Sequence, residues 1–149
     1  MTNSCSIFKR EITQEEENVI ERAVKGSKTL AILGLSPKPD RVSYHVAEKL
    51  QKMGYKIIPV YPREEEILGE KVYRNFKEIP VNVDTVILFI SADKMVEFVK
   101  DAVEISPKCI WGQESVIDAE AYKAVEGTEI DLVMDVCFYK KAVAYGISK

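Results

Sequence analysis

The sequence predicts an α/β protein built on a parallel sheet covered by helices, and three observations carry that expectation. Short, continuously apolar runs recur along its 149 residues, amphipathic stretches separate them, and glycine or proline marks most of the changes between the two. Apolar runs that do not alternate with polar residues are what strands buried on both faces look like.

The elements follow in order. Residues 11–25 read as a helix: Thr13 caps it with Glu16 three positions on, Ile12, Val19, Ile20, Ala23 and Val24 make its apolar stripe, and Gly26 stops it. Residues 29–33 form a first strand, closed by Gly34. Two prolines keep residues 35–42 irregular. Ser43 is expected to cap a helix reaching about Met53, with Val46, Ala47 and Leu50 on one face and Gly54 beyond its end. Residues 55–60 make the second strand, which completes a βαβ unit of roughly 30 residues, right-handed by the usual rule. Residues 61–80 are less regular, with a short extended piece at 69–73 and a helical turn at 75–78. Regularity resumes with a strand at 84–90, a helix at 92–105, a strand at 108–111, a helix at 117–125 stopped by Gly127, and a strand at 130–134.

Strands and helices in this alternation imply a Rossmann-like doubly wound sheet of about five parallel strands with helices on both faces. No repeat or linker interrupts it, so one domain is expected over 1–149: an N-terminal helix within 1–28, the core at 29–138 and a tail at 139–149. A chain of this length buries roughly 68–70% of its unfolded surface and needs no staple.

Composition narrows the function classes. Hydrophobic residues at 46% and charged residues at 30% suit a globular fold. A net charge of −3 gives no electrostatic reason to expect nucleic acid or an anionic membrane as partner. No apolar run approaches the ~18 residues of a membrane span, and residues 1–10 hold no signal-peptide core, so a cytoplasmic location is expected. Cys5, Cys109 and Cys137 are too scattered for a disulfide framework or a CxxC metal site, and His45, the single histidine, rules out a His-rich centre.

Ligands of such sheets bind beyond the carboxyl ends of the strands, near the point where strand order reverses. That rule selects five loops, at 34–43, 59–63, 90–94, 111–115 and 135–138. The first leads into a helix N-terminus, a natural anion site. There Gly34 permits a sharp turn and close approach, Ser36 and Ser43 offer hydroxyls, and Arg41 can grip phosphate bidentately. The plainer readings stay open: Gly34 as a strand end, Ser43 as a cap only, Arg41 as a solvated surface residue. The loop matches neither G-x-G-x-x-G nor the P-loop. At the end of the second strand, Pro59, Val60, Tyr61 and Pro62 are followed by Arg63 rather than by the acidic residue an NAD ribose requires.

In their order and spacing, Gly34 to Ser43 (GLSPKPDRVS), Gly54 to Pro62 (GYKIIPVYP), Ile67 to Tyr73 (ILGEKVY), Ile79 to Asp84 (IPVNVD), Ile110-Trp111 and Val133 to Cys137 (VMDVC) form a recognisable set. The chain resembles the small stand-alone CoA-binding proteins, whose domain is similar to the CoA-binding domain of succinyl-CoA synthetase α and of NDP-forming acyl-CoA synthetases. The resemblance covers about 29–138. It implies coenzyme A or an acyl-CoA as ligand, with Gly34, Ser36, Arg41 and Ser43 around the phosphates and Leu35 and Tyr44 among the cofactor-binding residues. Pro59, Val60, Tyr61 and Pro62 would then flank the adenosine, with Ile90 and Ser91 on its other side and Gln113 and Cys137 facing the pantetheine end or the cleft floor. The chain departs from the family at Ser115, where glycine is usual, and at Val136, where arginine is usual; both changes are expected to narrow the thiol end.

The resemblance implies a binding module, non-catalytic or regulatory, since ligases of this kind work through a phosphohistidine on a separate domain. His45 beside the phosphate loop builds no triad. Cys137 has two readings, a thiol able to form a mixed disulfide with CoA or a buried apolar residue. An NAD(P)-dependent oxidoreductase, or a nucleotide-sensing subunit of a larger complex, is the alternative. A homo-oligomer and a partner protein are both compatible with the sequence.

Overall fold

The computed structural model describes residues 11–149, so Cys5 and the reading of the first ten residues lie outside the described residues. A five-stranded parallel sheet forms the centre. It comprises β1 (Thr29–Leu33), β2 (Lys56–Val60), β5 (Thr85–Leu88), β6 (Cys109–Gly112) and β7 (Asp131–Val133), in the order β2-β1-β5-β6-β7. Between β2 and β5 the chain makes a small antiparallel hairpin, β3 (Glu66–Ile67) with β4 (Glu70–Lys71), and a 3₁₀ turn at Phe76–Glu78 capped by Asn75. The expected extended piece at 69–73 is thus half of a hairpin, and Tyr73 adds a single parallel bridge to Val60.

Each strand sends alternate side chains to opposite faces, which divides the core in two. Leu30, Ile32, Ile57, Ile87, Cys109 and Trp111 meet α1 (Gln14–Gly26), α2 (Val42–Lys52) and α5 (Phe138–Ala144) on one face. Ala31, Ile58, Val86, Leu88 and Ile110 meet α3 (Met95–Val103) and the short α4 (Ala121–Ala124) on the other. The fold is therefore α/β and Rossmann-like, with helices on both faces. No helix among the described residues is long and apolar enough to cross a membrane.

The expected caps hold in part. Thr13 and Glu16 form the full capping box of α1, each side chain taking the other's backbone N–H at 3.1 Å. For α2 the reading needs correction. Its N-cap is Arg41, no side chain caps it, and Ser43 lies one residue inside the helix with its hydroxyl turned back onto the preceding loop. The predicted helix at 117–125 contracts to Ala121–Ala124. Asp118 bonds the N–H of Glu120 at 3.0 Å in an Asx turn, which competes with helical bonding in the first turn. Conversely, the supposed tail contains α5. Phe138, Ala142 and Tyr145 recur at helical spacing, and Lys141 (2.7 Å) and Tyr145 both bond the Glu17 carboxylate of α1.

Candidate functional site

Strand order reverses between β1 and β5: the chain leaves β1 for β2 on one side, then returns past β1 to β5. A cleft of about 800 Å³ opens at the carboxyl ends of these strands. All five loops selected from sequence contribute to it: Gly34, Ser36, Arg41 and Ser43 from the first, Tyr61 and Arg63 from the second, Ile90 and Ser91 from the third, Gln113 and Glu114 from the fourth, and Cys137 from the fifth.

The first loop is held by its own hydroxyls. Ser43 Oγ accepts the N–H of Ser36 at 3.0 Å, and Ser36 Oγ accepts the N–H of Lys38 at 3.1 Å. Gly34 sits at φ +83°, and a Cβ there would lie 2.2 Å from the carbonyl oxygen of Phe89. The glycine is thus required where β1 and β5 converge, whatever else it does. Beyond it, α2 begins with no side-chain cap and no acidic residue in its first turn, so its N–H groups and the positive end of its dipole face the site unopposed.

Lys38, Arg41 and Arg63 are exposed around the cleft, and none forms an ion pair among the described residues. The cleft's one carboxylate, Glu114, is paired with Lys140 at 3.0 Å; this hydrogen bond and the charge behind it raise the Lys140 ammonium above its ordinary pKa. The unpaired cations that line the cleft therefore all lie on the first two loops. The opposite end is different: Gln113, Val116 and Cys137 there are all buried. Gln113 leads out of β6, its own N–H bonding Leu88 O at 3.3 Å, and its side-chain Oε1 accepts the N–H of Phe138 at 2.9 Å.

The remaining predicted residues lie elsewhere. Leu35 is fully buried in the core, Pro59 is buried within β2, and Tyr44 packs partly buried against α2's side of the core. Pro62 is exposed outside the cleft, and Val60 lines a second cavity of about 510 Å³ on the α3 face with Leu33, Phe76 and Phe98. Of the four residues expected around an adenosine, Tyr61 alone reaches the cleft. The cleft also contains Lys38, Val42, Val46, Phe89, Glu114 and Val116, which the sequence reading did not single out. Lys38, inside a loop already marked as an anion site, is the one whose charge type could have pointed to it.

Neither of the two family departures lines the cleft. Ser115 adopts φ +75°, the left-handed region where glycine is at ease, and its N–H is fixed by Asp135 Oδ1 at 2.8 Å. Val136 is buried in the core, and its carbonyl accepts the indole N–H of Trp111 at 2.7 Å. Cys137 is 7% exposed and Cys109 1%; burial pushes the Cys109 thiol well above the ordinary range. Among the described residues, no cluster of histidine, cysteine and carboxylate side chains could hold a metal ion.

Comparison with known proteins places this geometry among relatives. The profile of the family described as "CoA binding domain" matches residues 28–142, which brings the first turn of α5 inside the match. The protein YneT of Bacillus subtilis (strain 168) is 32% identical over 130 residues, covering 87% of this chain and 94% of its own. The α subunit of Pyrococcus furiosus acetate–CoA ligase (ADP-forming) II is 40% identical over 62 residues, 41% of this chain but only 14% of that subunit. Among solved structures, a hypothetical protein from Pyrococcus horikoshii OT3 superposes with a TM-score of 0.82 at 28% identity, covering 91% of this chain and 98% of the other.

Proposed function

The chain belongs to the CoA binding domain family, and from that membership we propose that the cleft binds coenzyme A or an acyl-CoA, acting as a binding module rather than a catalyst. The observation that carries this reading is the cationic end of the cleft. Lys38 and Arg41 stand in the loop that enters the uncapped N-terminus of α2, Arg63 lines the same cleft, and none of the three forms an ion pair among the described residues. That is the electrostatic complement of several phosphate groups held close together. Arg63 after β2, where an NAD site has an acid, suits a ribose carrying a phosphate better than a free diol. The quieter end suits a long, uncharged arm. Among the described residues no nucleophile–base pair accompanies these groups: His45 is exposed on α2 outside the cleft lining. We take residues 11–149 to act as one domain.

The test is calorimetric titration of the protein with CoA, with NAD and NADP as comparators. Saturable CoA binding is expected, weakened roughly tenfold by Arg41→Ala, the effect of one charge-assisted hydrogen bond to phosphate. Binding of NADP with no response to CoA would instead support the oxidoreductase alternative.

A further inference from the structure

Gln113 carries more than a place in the cleft wall. It is 4% exposed although it lines the cleft, so its amide has little contact with water. Its orientation is fixed chemically: the N–H of Phe138, 2.9 Å away, needs an acceptor, so the oxygen Oε1 occupies that side and the nitrogen Nε2 occupies the other. Nε2 carries two N–H donors and has no hydrogen-bond partner among the described residues. Buried donors are nearly always paired, and one that is not marks a place where a ligand acceptor belongs. The surroundings select which acceptor. Cys137 and Val116 beside it are buried and uncharged, the neighbouring Glu114 carboxylate is taken up by Lys140, and the unpaired cations that would hold phosphate lie on the first two loops. The matching partner is a neutral carbonyl oxygen.

Resting on the CoA reading above, we propose that Gln113 Nε2 donates a hydrogen bond to a carbonyl oxygen on the uncharged tail of the ligand, making Gln113 a specificity-determining residue of the cleft. Two carbonyl sources share this chemistry: the thioester of an acyl-CoA and the amides of the pantetheine arm. They differ in what removal of the donor does. A thioester contact discriminates acylated from unacylated ligand, whereas an amide contact supports every CoA derivative alike.

The experiment titrates CoA, acetyl-CoA and S-ethyl-CoA, a thioether that lacks the thioester oxygen, into wild type, Gln113→Glu and Gln113→Met. Glutamate keeps an acceptor for Phe138 and removes the donor; methionine removes both, and circular dichroism checks that each variant folds. For a thioester contact, wild type binds acetyl-CoA about tenfold tighter than S-ethyl-CoA, and the variants bind the two equally. For an amide contact, the variants lose about tenfold for all three ligands. Wild-type affinities for all three in both variants overturn the inference while leaving the CoA reading standing. A wild-type protein that binds none of the three overturns the CoA reading itself, and the inference with it.

Discussion

At the scale of single residues, the site depends on backbone conformations that few side chains tolerate. Gly34 combines a positive φ with a carbonyl 2.2 Å from where a Cβ would sit. Gly34→Ala is therefore expected to destabilise the fold by at least about 2 kcal/mol, adding left-handed strain to a clash that the β1–β5 junction can relieve only by moving. Urea unfolding followed by the single tryptophan, buried Trp111, measures this directly; a loss within experimental error would mean the junction is softer than its geometry implies. Gly34 was legible in the sequence because a glycine closing an apolar run has few other reasons to be there. Ser115 illustrates the converse. A serine gives no sign of its positive φ, and the Asp135 contact that holds it there spans 20 residues of chain.

At the scale of elements, the strands were legible and one helix was not. The central strands are buried on both faces, so their apolar runs had one reading. The α5 helix is hard to read from sequence because it is only seven residues long and starts without a side-chain cap, although Phe138, Ala142 and Tyr145 recur at helical spacing. What secures α5 is tertiary: Glu17 of α1 receives both Lys141 and Tyr145. The hydrogen bonds from Lys141 and then Tyr145 hold the Glu17 carboxyl below the ordinary carboxylate range, while the bond to Glu17, together with burial, pushes the Tyr145 phenol up to about 12. The signs follow from these directions. A lowered carboxyl pKa gives stability that is complete above the ordinary range and fades as acid protonates Glu17. A raised phenol pKa gives stability that is complete below about pH 10 and fades as pH climbs through 12. Protection of the α1 and α5 amides, measured against their intrinsic exchange rates at each pH, should accordingly fall at both extremes, and Glu17→Gln should flatten the acid limb. An unchanged acid limb in that variant would assign it to other carboxylates.

At the scale of the whole molecule, strand order was the least legible feature. Composition and periodicity describe elements one at a time, whereas the order β2-β1-β5-β6-β7 is decided by which faces and edges meet. The site survived that gap because parallel topology places every strand's carboxyl end on the same side, so all five loops converge whatever their order. Side-chain direction did not survive it. Pro59, Val60 and Pro62 stand beside Tyr61 in sequence, yet Tyr61 alone enters the cleft: Pro59 is buried within β2, Val60 turns to the α3 face and Pro62 is exposed beyond the strand end.

The unpaired cations at the cleft have a kinetic consequence. The protein carries a net charge of −3, so at long range it repels a polyanion, and attraction begins only near Lys38, Arg41 and Arg63. Dissolved ions screen such fields beyond about 8 Å at physiological ionic strength, which makes capture a local event. Stopped-flow association should therefore slow as salt is raised while dissociation changes little; the reverse pattern would place the ionic contribution in the settled complex. Salt would then govern how often a ligand is caught, and the buried side chains of Gln113, Val116 and Cys137 how long it stays.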